Sequence, residues 1–238
     1  MIRFFVALAF MVLASTSLRA ETVSFQASDG VVITADVSRG STNTVIVLFH
    51  MAGASRGEYQ QIAPALNALG YTTLAVDQRS GRSFGGVKNE TATRVPGKSA
   101  FLDAVPDLKA AAKYARQSLG ATHVGVVGSS YSASLVLVLA GQDRGFADAV
   151  MSFSPGEYFP NRSLVRTSAA GISVPVFITA ARSEAPQWKP IVEAIGRRAT
   201  GFVPSGAGKH GATALLIPER DEYWVALQGF LRTNLPPQ

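Results

Sequence analysis

The sequence predicts an α/β fold, a mostly parallel central sheet with helices on both faces, and three observations carry that prediction. From residue 44 onward, short apolar runs alternate with segments of helical periodicity, the pattern of successive β-α-β units. Thr44–Phe49, Thr72–Val76 and Ala149–Phe153 are rich in apolar and β-branched residues without polar alternation, as strands are when helices cover both sheet faces. The 238 residues, 47% hydrophobic and 16% charged, suffice for one sizeable core, and no repeat or composition break divides them.

Residues 1–20 have the layout of a secretory signal. A basic start at Arg3 precedes the apolar run Phe4–Ala14, then Ser15-Thr16-Ser17 and Ala20, and the run is too short to span a bilayer, which needs about 20 apolar residues. We expect cleavage after Ala20, a single domain over residues 21–238, and an exported protein, periplasmic or secreted. Removing Arg3 and Arg19 leaves 20 basic and 16 acidic residues, a net charge of +4 against +6 for the whole chain. The only later apolar run of note, Leu135–Ala140, is interrupted by Gly141, so no stable membrane insertion is expected once the signal is gone.

In order along the chain, Val23–Gln26 and Val31–Val37 flank Ser28-Asp29-Gly30 and read as a hairpin. Thr44–Phe49 is a buried strand. Glu58–Leu69 places Ile62, Leu66 and Leu69 at helical spacing before Gly70, and Thr72–Val76 is the next strand. Asp77 to Ser99 reads as a long polar, glycine-containing loop. Residues 101–119 read as a helix, with Pro106 tolerable near its start. Val124–Val127, Ala149–Phe153, Val174–Thr179 and Gly201–Val203 read as strands, and Tyr131–Leu139, Lys189–Ile195 and Asp221–Leu231 as helices.

Composition excludes several function classes. With no cysteine, thiolate nucleophiles, cysteine zinc sites and iron–sulfur clusters are ruled out. The three histidines are far apart and lack neighbouring carboxylates, so no metal is expected. No glycine-rich phosphate loop stands out, and no cofactor is expected. Basic residues are scattered, with no run longer than Arg197-Arg198, which argues against nucleic acid as a partner.

The stretch Val124-Gly125-Val126-Val127-Gly128-Ser129-Ser130-Tyr131-Ser132-Ala133 passes from strand through a tight turn into helix. A nucleophilic serine needs this setting, because a strained backbone lifts its hydroxyl above the sheet edge. Small residues must flank it at two positions on either side, where Gly128 and Ser132 stand. A serine nucleophile needs a base, and the base an orienting acid. Among His50, His123 and His210, the last lies in a loop between the final strand and the closing helix, where strand C-terminal ends share one edge. His210 is therefore the candidate base. In the chain order serine, acid, histidine, Glu184 is the candidate acid, with Glu157 as its rival. The backbone N–H groups of Tyr131 and Met51 are the candidate oxyanion donors, with Ala52-Gly53-Ala54 turning the chain back over the pocket.

On these residues the chain resembles the α/β-hydrolase superfamily, in its dienelactone-hydrolase-like branch. The match rests on Leu48-Phe49-His50-Met51-Ala52-Gly53-Ala54-Ser55-Arg56-Gly57-Glu58-Tyr59, Asp77-Gln78-Arg79-Ser80-Gly81, the Ser130 turn and the His210 loop. The resemblance implies an α/β-hydrolase fold, Ser130 as nucleophile, His210 as base, Glu184 as acid and Met51 with Tyr131 as the oxyanion hole. It also implies that Asp77 and Arg79 brace loops. Dienelactone hydrolases proper carry a nucleophilic cysteine, so their substrate is not carried over, and the acid here is Glu where Asp is more usual. The interval Ser154–Pro175 holds no long apolar helix, so a large cap domain is not expected. Phe84, Tyr158 and Phe159 are candidates for lining the pocket or for anchoring loops. The expected function is hydrolysis of a small carboxylic ester through an acyl-enzyme. The alternatives are a small peptidase or thioesterase, or a non-catalytic binding protein that kept the fold.

Overall fold

The computed structural model describes residues 20–238, so the expected targeting segment lies outside the described residues apart from Ala20. The chain opens with a hairpin of β1 (Glu21–Gln26) and β2 (Val32–Ser38), followed by β3 (Thr44–Phe49), α1 (Ile62–Ala68) and β4 (Thr72–Val76). A two-residue-per-strand hairpin, β5 (Ser83–Phe84) and β6 (Val87–Lys88), precedes α2 (Glu90–Arg94) and α3 (Val105–Gln117). Then come β7 (His123–Ser129), α4 (Tyr131–Gln142), β8 (Ala149–Phe153), α5 (Leu164–Ala169) and β9 (Val176–Thr179). The chain closes with α6 (Ala185–Ile195), β10 (Ala199–Phe202) and α7 (Arg220–Asn234).

Eight strands form one sheet in the order β1-β2-β4-β3-β7-β8-β9-β10. The hairpin joins it antiparallel, β1 to β2 and β2 to β4, and every other pairing is parallel. Side chains alternate between faces along a strand, and the apolar runs divide accordingly. Val45, Val47 and Phe49 pack on one face with α3, α4, α5 and α6, while Ile46 and Leu48 pack on the other with α1 and α7. Each fully buried side chain of this kind contributes about 1.5–3 kcal/mol. Helix α4 is buried from Tyr131 to Ala140 because β7, β8, α3 and α5 enclose it. This is why Leu135–Ala140 is apolar all round.

Several element boundaries differ from expectation, three of them for reasons that bear on the site. The helix expected over Glu58–Leu69 is split, with a 3₁₀ turn at Arg56–Tyr59 and α1 starting only at Ile62. Glu58 and Tyr59 point inward, the Tyr59 hydroxyl donating to the Phe49 carbonyl at 2.7 Å. Helix α6 begins at Ala185, four residues ahead of the expected Lys189, with Pro186 in the first turn, where no backbone N–H is needed. Within the expected 77–99 loop, Asn89 caps α2 by accepting the Ala92 N–H at 2.8 Å. Among the described residues, the connection from β8 to β9 contains α5 and no cap domain.

Candidate active site

Ser130 sits between β7 and α4 with φ +59° and ψ −119°, a conformation that costs a non-glycine residue roughly 1–3 kcal/mol. The surrounding contacts hold it there. The Ser130 N–H donates to the Phe153 carbonyl at 2.8 Å. A Cβ at Gly128 would lie 2.4 Å from the Ser132 carbonyl oxygen and 2.6 Å from Ala133 Cα, so only glycine fits. Ser132 does more than stay small. Its hydroxyl accepts the Ser129 N–H at 2.8 Å and donates to the Phe49 carbonyl at 2.7 Å, stitching the turn to β3.

The structure brings Ser130, His210 and Glu184 together in one hydrogen-bonded chain. His210 Nε2 lies 2.8 Å from Ser130 Oγ, and His210 Nδ1 meets a Glu184 carboxylate oxygen. A proton on Nδ1 for the carboxylate leaves Nε2 as the acceptor facing the serine hydroxyl. The hydrogen bond to Glu184 raises the His210 pKa above its usual 6.5 against the opposing effect of burial. Burial works to raise the Glu184 pKa, but hydrogen bonds from His210 and Ser154 outweigh it and hold the carboxyl below its usual range.

Glu184 is itself fixed. Its second oxygen accepts from the Ser154 hydroxyl at 2.7 Å and from the Ala181 N–H at 3.1 Å. Ser154 Oγ also accepts the Gly211 N–H at 2.9 Å, so one hydroxyl joins the acid to the histidine loop. Ser154 has a positive φ of 60° and was not legible as a site residue. Its one signal is position: it directly follows β8, the strand beside the Ser130 turn.

The other candidates go elsewhere. Glu157 accepts the N–H groups of Val165 and Arg166, each at 2.9 Å, and so tethers α5. His123 starts β7, at the far end of that strand from Ser130. His50 is fully buried, and burial pushes its pKa down to about 4. The neutral ring donates from Nδ1 to the Met51 carbonyl at 2.8 Å and accepts the Gln78 N–H at Nε2, 3.0 Å away. Asp77 and Arg79 brace loops, Asp77 with Arg56 and the Glu90 N–H, and Arg79 with Asp107 and Asp29.

Met51 differs from its expected role. Its N–H is occupied, donating to Glu58 Oε2 at 2.7 Å. Its carbonyl is held by His50 and by the Ala54 N–H at 3.2 Å. In a trans peptide the next N–H points opposite that carbonyl, so the Ala52 N–H is turned away from these partners. Among the described residues it makes no hydrogen bond. Phe49 is paired with Gly128 in the parallel register, which sets the 50–54 loop beside the Ser130 turn. The Tyr131 N–H belongs to the first residue of α4, where a helix leaves its N–H groups without internal partners.

Two cavities meet at this edge. One of about 320 Å³ is apolar, lined by Phe101, Leu102, Tyr158, Phe159 and Pro160. Phe101 stacks on Tyr131 with ring centroids 4.5 Å apart, and the Tyr158 hydroxyl donates to the Ser154 carbonyl at 2.9 Å. Two of its lining side chains thus contact Tyr131, the residue after Ser130, and Ser154, which holds Glu184. A wider cleft of about 640 Å³ shares Ser99 and Phe101 with it and runs along Ala52, Gly53 and Ser80–Arg82. Of the three aromatic candidates, Tyr158 and Phe159 line the apolar cavity, and Phe84 lies in the β5–β6 hairpin. Among the described residues no group of three metal-ligating side chains occurs, and no helix is long and apolar enough to cross a membrane.

No protein-family model and no curated protein matches the sequence. Solved structures do match in three dimensions. An esterase of Pyrococcus furiosus superposes with a TM-score of 0.72 at 16% identity, over 92% of each chain. The dienelactone hydrolase of Anabaena variabilis gives 0.70 at 16% identity, over 91% of this chain and 98% of that one. Brefeldin A esterase, a bacterial homologue of human hormone sensitive lipase, gives 0.64 at 18% identity, over 95% and 78%. Its sheet order, its strand–serine–helix turn and these superpositions together establish that the chain has the α/β-hydrolase fold.

Proposed function

We propose that this protein is a serine hydrolase that cleaves small carboxylic esters through an acyl-enzyme. The observation that carries the reading is the hydrogen-bonded chain from Ser130 Oγ through His210 to Glu184, poised on a strained turn. That similar folds are described as esterases adds support. His210 Nε2 takes the Ser130 proton as Oγ attacks the ester carbonyl, and Glu184 stabilises the imidazolium. The carbonyl oxygen gains charge and is met by the Tyr131 and Ala52 N–H groups, each such donor being worth about 3 kcal/mol in measured oxyanion holes. Collapse breaks the bond to the alcohol oxygen, which takes that proton from His210. Water, deprotonated by the same nitrogen, then attacks the acyl carbon, and as the bond to Ser130 breaks, Oγ takes the proton from His210 and the acid is released. The apolar cavity of about 320 Å³ takes one small apolar group of the ester.

The test is hydrolysis of short-chain esters by the chain from residue 21 onward. Ser130→Ala and His210→Ala are each expected to lose at least about 1000-fold in kcat/KM with the fold retained. Full activity in either variant would overturn the assignment. Phe101→Ala is expected to raise KM for aryl and butyryl esters several-fold more than for acetyl esters, because it opens the apolar cavity beside Tyr131.

A further inference from the structure

Glu58 stands outside the Ser130, His210 and Glu184 chain, is 1% exposed, and has no cationic partner among the described residues. The contrast with the other buried carboxylates is direct: Asp77 faces Arg56, and Asp107 faces Arg79. Both Glu58 oxygens are instead committed to groups at the site. Oε2 accepts the Met51 N–H, and Oε1 accepts the Ser129 hydroxyl, each at 2.7 Å. Ser129 Oγ in turn accepts the Ala212 N–H at 2.9 Å. The fit is close, since a Cβ at Gly211 would lie 2.6 Å from Ser129 Oγ and 3.9 Å from Glu58 Oε1. One carboxylate thus ties together the loop after β3, the residue before Ser130 and the loop carrying His210.

A neutral glutamine would meet both partners without a charge to bury, its oxygen accepting the Met51 N–H and its amide nitrogen donating to Ser129 Oγ in place of accepting from it, and burying an unpaired carboxylate is costly. Tying loops together therefore does not account for the charge. The neighbouring groups do. Arg56 is committed to Asp77 and Asp36. Burial keeps Tyr59 and Tyr131 protonated and His50 neutral, and Lys88 on β6 faces solvent. That leaves His210, next to Gly211, where an added Cβ would lie 3.9 Å from Glu58 Oε1, and two residues before Ala212, which Glu58 reaches through Ser129; its positive charge and the Glu58 negative charge favour one another.

Resting on the hydrolase reading above, we propose that Glu58 is a second carboxylate of the site. It is a positioning residue whose carboxylate, where ionised, favours protonated His210 and whose hydrogen bond fixes the His50–Met51 peptide immediately ahead of the Ala52 N–H.

The test is a pH titration of the His210 imidazole by NMR in the full mature chain and in Glu58→Gln, with the His210 signal assigned by its loss in His210→Gln. Glutamine keeps the shape and removes the charge. The His210 pKa is expected to fall by about half a unit, the order expected of one charge at intermediate dielectric. The acid limb of the fluorophosphonate labelling rate at Ser130 is expected to move to lower pH by the same amount. An unchanged His210 pKa would overturn the role of Glu58 whether or not Ser130 is labelled. Absence of labelling in the wild type would overturn the hydrolase reading, and the imidazole titration would still judge Glu58. If Glu58→Gln does not fold, Glu58→Asp replaces it. That variant keeps the charge and shortens the reach, so the His210 titration should stay near wild type while labelling slows several-fold. A lowered His210 pKa in Glu58→Asp would contradict the proposal.

Discussion

Serine occupies positions 129, 130 and 132, and the three hydroxyls have three different partners: Glu58, His210 and the Phe49 carbonyl. Ser130 was legible because its signal is local, a small-residue turn between strand and helix. That His210 and Glu184 stand beside Ser130 was legible because chain order and strand ends confine which loops meet there. Glu58 and Ser154 were not, since each acts through a partner distant in sequence: Ser129 lies 71 residues from Glu58, and Glu184 lies 30 from Ser154. The Met51 expectation went astray over one peptide unit, because neither the Glu58 carboxylate nor the His50 ring announces in sequence which N–H it leaves free. Two predictions belong at this scale. Ser132→Gly keeps a small flanking residue yet removes the turn's stitch, and should lower stability by about 1–2 kcal/mol in denaturant titration while Ser130 remains labelled. Ser154→Ala releases Glu184 and the Gly211 N–H together, and should reduce kcat about tenfold with little change in KM.

Elements were read well where burial sets them and less well where side chains from elsewhere do. β3, β4 and β8 lie at their expected positions, since a strand covered on both faces needs an apolar run of the right length and little else. The 3₁₀ turn before α1 depends on Tyr59 and Glu58 reaching back to the end of β3, a tertiary demand that helical spacing does not report. Glu157 shows the same from the other side. As a carboxylate soon after a strand it was a reasonable acid, but it tethers α5 through the Val165 and Arg166 N–H groups. Glu157→Ala should cost about 1 kcal/mol of stability, as lost helix caps do, and leave Ser130 labelling unchanged.

For the whole molecule, two buried titratable groups oppose stability at opposite ends of the pH range. Burial raises the Glu58 pKa from its usual 4.5 to about 7, so the folded chain holds that proton more tightly than the unfolded chain. Its contribution is complete below about pH 4.5 and is lost as pH rises through 7, by about 3 kcal/mol at most. Burial lowers the His50 pKa from 6.5 to about 4, so its contribution is complete above 6.5 and is lost as pH falls through 4. Glu58→Gln is therefore expected to raise the melting temperature at pH 9 and to leave it nearly unchanged at pH 4.5, as thermal unfolding at both pH values would show. A variant that gains stability at alkaline pH while losing its hold on His210 would have exchanged function for stability at a single residue.

Activation of Ser130 is tested most directly by fluorophosphonate labelling of the chain from residue 21 onward, followed by peptide mapping. One covalent adduct is expected, at Ser130, abolished by His210→Ala. A folded sample that takes no label, or takes it at another serine unaffected by His210→Ala, would contradict it.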